Sequence, residues 1–370
     1  MLPDPRPYFS DLPDPRRTTR NKLHKLEDIV MLTLCAVLCG DEDWVSIEDF
    51  GHDNEEWLRQ FLELSNGIPS HDTLSDVMGR IQPEAFAQAF QAWVQAGLPS
   101  LAEQQIAIDG KSLRGIRQGN GMVHMMSAFA TQARIVLAYQ EVPDKTNEIS
   151  AIPDLLAQLD LTGGLVTIDA MGCQKRIAHD IVAQQADYVL ALKENHATLY
   201  DDVKLWLDTN DVEGHVYTTQ SIEKDHGRIE TRRVVVSKEI DWLPQASQWA
   251  GLKAVAMVDS VREIGHKISR ERRYYLCSIT NVDRIAQSIR QHWAIENQQH
   301  WILDVQFGED AHHTRTLFSA ANLALIRRAA LNILHADSSN KLSIRRRKRR
   351  ALANLAYREA LLFRSQLFSA

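Results

Sequence analysis

The segment Arg290-Gln-His-Trp-Ala-Ile-Glu-Asn-Gln-Gln-His-Trp-Ile-Leu-Asp-Val-Gln-Phe-Gly-Glu-Asp310 sets two histidines, a glutamate and two tryptophans in close succession. Ile285, Ile289, Trp293 and Ile295 recur near helical spacing with no Gly or Pro between them, which predicts a helix. Intervals of four residues place His292, Glu296 and His300 along one side of it. A carboxylate between two imidazoles is an unusual load for a core helix. A solvated face, buried and satisfied histidines, or a capping cluster each also account for it.

Two acids upstream favour a site. Asp109 closes the apolar run Gln105-Ile-Ala-Ile-Asp109, and Asp169 closes Gly164-Leu-Val-Thr-Ile-Asp169. Both runs have strand length and end at an Asp followed by a small residue or loop. An Asp there adds nothing to packing, but it presents a carboxylate at the rim of a sheet, where ligands of open α/β sheets collect. A helical Glu brought to the same rim completes three hard oxygen donors, which suit magnesium or manganese better than zinc.

Ala107-Ile-Asp-Gly-Lys111, Thr167-Ile-Asp-Ala-Met-Gly-Cys-Gln174, Leu190-Ala-Leu-Lys-Glu-Asn195, His226-Gly-Arg-Ile-Glu-Thr-Arg232 and His292-Trp-Ala-Ile-Glu-Asn297 follow one another along the chain, the last running on to Leu303-Asp-Val-Gln-Phe-Gly-Glu-Asp310. In that order they resemble the DDE insertion-sequence transposases, specifically the H-repeat-associated family. The resemblance covers nearly the whole chain from Phe9 onward. It implies an α/β protein with a ribonuclease-H-like catalytic core carrying a β-rich insertion, preceded by an all-α N-terminal domain. It also implies a bacterial enzyme that cuts and transfers DNA strands, with Asp109, Asp169 and Glu296 as catalytic and metal-binding acids.

Phosphodiester cleavage needs an oxygen made nucleophilic near neutral pH and a leaving 3′ oxygen relieved of its charge. Two magnesium or manganese ions about 3.5–4 Å apart meet both demands. Asp109 is then the shared ligand. His292, Asn297 and His300 flank the Glu and are placed to orient it by hydrogen bonds rather than to ligate. Many related transposases carry a Tyr, an Arg and a Lys around the third acid. Ile289, His292 and Leu303 stand at those positions here, so those phosphate-contacting roles do not transfer. Two other functions remain open: an inactive or domesticated relative that only binds DNA, and a zinc hydrolase using His292, Glu296 and His300. The latter explains neither Asp and lacks the HExxH arrangement.

The net charge of −6 runs against DNA binding, but distribution decides. Lys341 to Arg350 is densely cationic, and Arg346, Arg347, Lys348 and Arg349 within it are candidate phosphate contacts. Arg228 and Arg232 sit in a basic turn, and Lys111 and Arg114 follow the first Asp; solvated surface is the alternative for each. The partners expected are double-stranded terminal repeats and target DNA, bound by a homodimer because two ends must be cut together. No apolar run approaches bilayer length and no signal peptide opens the chain, so a cytoplasmic protein associated with the nucleoid is expected. Cys35, Cys39, Cys173 and Cys277 lack zinc or disulfide spacing and read as core thiols.

Taken in order, residues 1–98 read as helical, with segments at 26–38, 54–64 and 83–96 and a short helix capped by Ser70. That short helix is read as packing rather than as a DNA-recognition helix. Gly97 to Ser100 marks a boundary. Residues 99–209 then give three strands, a helix, a strand, a helix, a strand and a helix, the first part of the catalytic domain. Residues 210–275 read as the β-rich insertion, 276–340 as the rest of the catalytic domain with the Glu helix, and 341–370 as a basic helical tail.

Overall fold

A computed structural model describes residues 2–17, 22–98, 100–118, 121–142, 148–211, 215–225, 227–311 and 318–363, without the side chains of 113–118, 121–123, 141, 148 and 225. Six helices come first: α1 (Arg6–Phe9), α2 (Leu26–Cys39), α3 (Trp44–Asp53), α4 (Glu55–Leu58), α5 (His71–Met78) and α6 (Pro83–Gly97). Three strands follow, β1 (Gln105–Gln118), β2 (Gly121–Ala130) and β3 (Ile135–Val142), then α7 (Glu148–Ala157), β4 (Leu165–Ile168), α8 (Lys175–Ala183), β5 (Asp187–Leu192) and α9 (Ala197–Thr209). Two hairpins come next, β6 (Tyr217–Asp225) with β7 (Arg228–Ser237) and β8 (Ala254–Ile264) with β9 (Lys267–Cys277). The chain closes with α10 (Val282–His292), α11 (Trp301–Phe307), α12 (Ser319–Ala336), α13 (Ile344–Ala353) and α14 (Leu355–Phe363).

The strands form one sheet in the order β3-β2-β1-β4-β5-β9-β8-β7-β6. Its first five strands, an antiparallel β1–β2–β3 meander with β4 and β5 parallel to β1, make the ribonuclease-H-like core. The strands expected in the insertion do not stand apart. β9 pairs antiparallel with β5, from Val189↔Cys277 to Leu192↔Tyr274, so both hairpins lengthen the core sheet.

Two helices are apolar nearly all round and therefore buried. In α2 every residue except Glu27 is buried; the carboxylate of Asp28 is satisfied by the backbone N–H groups of Glu63 and Leu64. In α12 all residues from Ser319 to Leu334 are buried. Its polar side chains join the two halves of the molecule. Asn332 bonds both the N–H and the C=O of Val136 on β3, while Asn322 donates to the carbonyls of Met78 and Ile81 in the helical half. Residues on both sides of the Gly97–Ser100 break thus share one apolar core. The helix introduced by Ser70 packs against α2, α3 and α12. Sequence periodicity missed α3, whose start is fixed by a capping box between Asp43 and Ser46. Among the described residues no helix is long and apolar enough to cross a membrane.

The helix after Glu296 is fixed to the sheet by charge. Lys111 on β1 is buried, with its ammonium engaged by Asp304 of α11 and by Glu309 at 2.6 Å. Arg328 of α12 reaches the other oxygen of Glu309, also at 2.6 Å. Gly308, in the left-handed region at φ 56°, ends α11 and turns the chain so that Glu309 enters this pocket. Lys111 is therefore committed inside the protein and is unavailable to a phosphate, contrary to expectation. Burial alone would push the Glu309 carboxyl up, but Arg328 and Lys111 outweigh it and hold the group down at about 2. Because the folded value lies below the unfolded one, its contribution is complete above about pH 4.5 and lost as pH falls toward 2. Glu309→Gln is expected to cost on the order of 3–5 kcal/mol in urea unfolding at pH 7, since it strands two buried cations. The same variant should lose less stability than the wild type on acidification below pH 4.5.

Candidate active site

Register brings the two aspartates level. β1 and β4 run in parallel with Ile108 beside Ile168, so Asp109 and Asp169 are the next residues of adjacent strands. β4 stops at Ile168, whereas β1 continues to Gln118 in its hairpin with β2. Asp109 is therefore not at a strand end, as the apolar run suggested, but at the point where β1 loses its parallel neighbour. Asp169 opens the following loop and accepts from the N–H groups of Met171 (3.1 Å) and Gly172 (3.3 Å) through Oδ1. The side chain of Asn195 ties that loop to the end of β5 by donating to the Ala170 carbonyl at 2.8 Å.

Glu296, the candidate third acid, arrives on a modified helix. α10 ends at His292, and Ile295–His300 winds as a π-helix before α11 resumes α geometry. Such wide turns are often found at functional sites. His292 and His300 both face the sheet. His292 Nδ1 lies 3.0 Å from Thr167 Oγ1 on β4, and His300 Nδ1 lies 3.6 Å from Asp109 Oδ2 on β1. Gln105 completes a buried polar chain, donating to Thr167 Oγ1 (3.1 Å) and to the Ser288 carbonyl of α10 (2.8 Å). Glu296 lies between the histidines in sequence and is exposed, and Asn297 bonds back to the Trp293 carbonyl.

Asp109, Asp169, His292 and Glu296 line one cleft of about 930 Å³. Although the residue as a whole is exposed, partial burial at the cleft wall raises the Glu296 carboxyl above its ordinary value; Arg273 opposes the rise and Asp169 adds to it. Among the described residues no three His, Cys, Asp or Glu side chains are grouped closely enough to hold a metal ion. The acids share a cleft without forming a closed cage.

The DNA-contact candidates divide. Arg232 is held by Glu230 (2.7 Å) and Glu223 (3.1 Å), and so is already neutralised, unlike the free contact expected. Arg228 stays partly exposed, 3.8 Å from Glu230. Arg347 and Lys348 also depart from expectation. Arg347 turns inward to the carbonyls of Leu334, Leu342 and Asn340, while Lys348 is buried against Glu42 and the Gln306 carbonyl. Arg346 and Arg349 are exposed. The side chain of Arg114 and the whole of His226 lie outside the described residues. Sequence reading missed Gln105 and Thr167 as site supports. Thr167 is two residues before Asp169 and so in phase with it along the strand, which is a usable signal.

A ribonuclease-H-like sheet with carboxylates level on adjacent strands defines the class. The sequence matches the Transposase DDE domain over residues 101–333 and the DDE_Tnp_1-associated family over residues 7–94. An H repeat-associated putative transposase, YhhI of Escherichia coli K12, is 38% identical over 97% of this chain and 98% of its own length. The putative transposase YncI of Escherichia coli O157:H7 is 39% identical over 96% of this chain and 93% of its own. An uncharacterized protein from the dhlA 3′ region of Xanthobacter autotrophicus is 48% identical over 76% of this chain and 96% of its own. The chain belongs to the DDE transposase family, and within it to the H-repeat-associated group.

Both site imidazoles are neutral at pH 7. Burial depresses His292 to about 4, against the opposing charge of Asp169, and depresses His300 to about 3, with Lys111 and Arg328 adding. The unfolded chain takes up these protons below its ordinary value of 6.5, while the folded chain refuses them. Stability should therefore fall as pH drops from about 6.5 toward 4. Denaturation midpoints across that range, compared with a His292→Gln/His300→Gln variant, check this: the variant's midpoint should depend less steeply on pH.

Proposed function

We propose that this protein is a working transposase: it cuts DNA at the ends of its insertion element and joins the freed 3′ ends to target DNA. The observation that carries this reading is the shared cleft of Asp109, Asp169 and Glu296. Its donors are all carboxylate oxygens, the set that magnesium and manganese prefer. The raised Glu296 carboxyl reflects partial burial near another negative charge, a cost that a bound cation removes. The donor chemistry thus fits a divalent metal, which Asp109, Asp169 and Glu296 would hold once drawn closer together than they stand in the open cleft. A bound ion supplies Lewis acidity to the displacement at phosphorus.

The remaining parts are the protein's own. Met171 and Gly172 fix the Asp169 carboxylate through their N–H groups, and Asn195 steadies the same loop. Thr167 holds the neutral His292 ring at the cleft wall, and His300 stands beside Asp109. Water attacks in strand cleavage and the freed 3′ hydroxyl attacks in strand transfer, both from within the cleft. Arg346 and Arg349, exposed on α13, contact duplex phosphates outside it, and Arg228 does so at the β6–β7 hairpin. Two element ends cut together call for two copies of the chain.

The test is nicking of a labelled duplex bearing the element's terminal repeat, with magnesium or manganese and without. Asp109→Ala, Asp169→Ala and Glu296→Ala should each lower cleavage by at least about a hundredfold while leaving duplex binding in place. Cleavage surviving Glu296→Ala would remove that residue from the acid set. A wild type that binds the repeat and never cuts it would leave only a DNA-binding relative.

A further inference from the structure

The segment Leu190-Ala-Leu-Lys-Glu-Asn195 has so far contributed only Asn195 to the site. Its lysine occupies a telling position. Val189, Ala191 and Lys193 alternate along β5 and its extension, and all three line the acid cleft. The parallel register sets Ile168 beside Leu190, so Ala191 is level with Asp169, and Lys193 lies two residues beyond. That offset is about 7 Å along the strand and about 5 Å across it, within reach of a lysine side chain.

β9 supplies a neighbour. Continuing the pairs Ala191↔Tyr275 and Leu192↔Tyr274 places Arg273 beside Lys193. Three cations line the cleft, Lys193, Arg272 and Arg273, and two of them are already balanced. Arg272 bonds Asp208 at 2.6 Å and approaches Asp259 at 3.4 Å; Arg273 bonds Glu271 at 2.8 and 3.1 Å and lies over the Trp293 ring. Lys193 is exposed and, among the described residues, its ammonium makes no hydrogen bond or ion pair of its own; Glu271, already bonded by Arg273, feels its charge. A cation without an ion-pair partner of its own, beside another cation and across a cleft from three acids, is suited to a ligand that brings its own negative charge.

We infer that Lys193 binds the non-bridging oxygens of a DNA phosphate next to the one held at the acids, so that the strand lies across the cleft from β4 to β9. Arg273 is a reserve contact held back by Glu271. This inference rests on the transposase reading above.

The test is fluorescence anisotropy of a labelled terminal-repeat duplex, titrated from about 50 to about 300 mM salt, with cleavage kinetics alongside. Lys193→Ala should weaken binding by roughly five- to tenfold at low salt and flatten the slope of log K against log salt by about 0.9. Lys193→Arg should restore both, whereas in Lys193→Ala KM should rise with kcat nearly unchanged. Glu271→Gln, which frees Arg273, should tighten binding and steepen the slope. An unchanged thermal melt for Lys193→Ala separates lost contact from lost fold. Wild-type binding together with a Lys193→Ala affinity within about twofold and an unaltered slope would overturn this inference alone. A wild type that binds no duplex even at low salt would overturn the transposase reading with it.

Discussion

The position of the acid cleft depends on one buried ammonium. Lys111 lies two residues after Asp109 on β1 and is engaged by Asp304 and Glu309, one from α11 and one from the turn after it. Arg328 fixes Glu309 from α12, the helix that also rivets β3 and the N-terminal helices. The helix following the π-segment is thus tied to the strand that carries the first acid. Hydrophobic packing could tolerate a small slide between them. A buried charge pair cannot, because separating it leaves uncompensated charge in a low dielectric. From the other end, Gln105 and Thr167 hold α10 through Ser288 and His292. The π-helix spans the interval between these two anchors, and Glu296 rides on it.

Local sequence carried much of this. The apolar runs before Asp109 and Asp169 announced neighbouring strands, and β4 was bounded as read because Gly164 and Asp169 punctuate it. Long-range pairing left little local trace. Nothing around Tyr274 says that β9 zips onto β5, so the hairpins looked like a separate insertion, and the cations that β9 brings to the cleft went unseen. The basic residues misled for a related reason. Charge in a sequence signals exposure, yet Lys111 and Lys348 meet partners distant in sequence, and Arg232 and Arg347 are taken up by nearer ones. The π-turn was equally hidden, since Ile295 to His300 suits an α-helix by composition.

The cleft itself opposes two kinds of charge. Its floor is acidic, where β1 outruns β4 and on the π-segment; its far wall, from β5 and β9, carries Lys193, Arg272 and Arg273, the two arginines already paired with carboxylates. In the protein alone the acids are strained: Glu296, raised chiefly by burial, is raised further by Asp169, and Arg273 of the wall only partly offsets this. A phosphate backbone accompanied by divalent cations satisfies both at once. Neither partner alone does, for the phosphate is repelled by the floor and the cation by the wall. On this electrostatic argument, metal and DNA should bind with positive coupling, each strengthening the other.

Burial likewise reconciles an acidic chain with the polyanionic partner proposed for it. The run Lys341 to Arg350 is sorted by burial into structural and available charge. Lys348 faces inward, over the Phe307 ring at 4.0 Å and bonded to Glu42, while Arg347 satisfies carbonyls around the end of α12. These inward contacts clamp α13 to α11 and α2. Arg345, Arg346 and Arg349 then project from a rigid platform and not from a flexible tail. Because Lys348 reaches the last turn of α11 and Lys111 reaches the same helix from the sheet, the exposed arginines and the acid cleft belong to one mechanical unit. A phosphate contact of the kind proposed for α13 would thereby be referred to the position of Glu296 through a few buried ion pairs, which a net charge summed over the chain does not reveal.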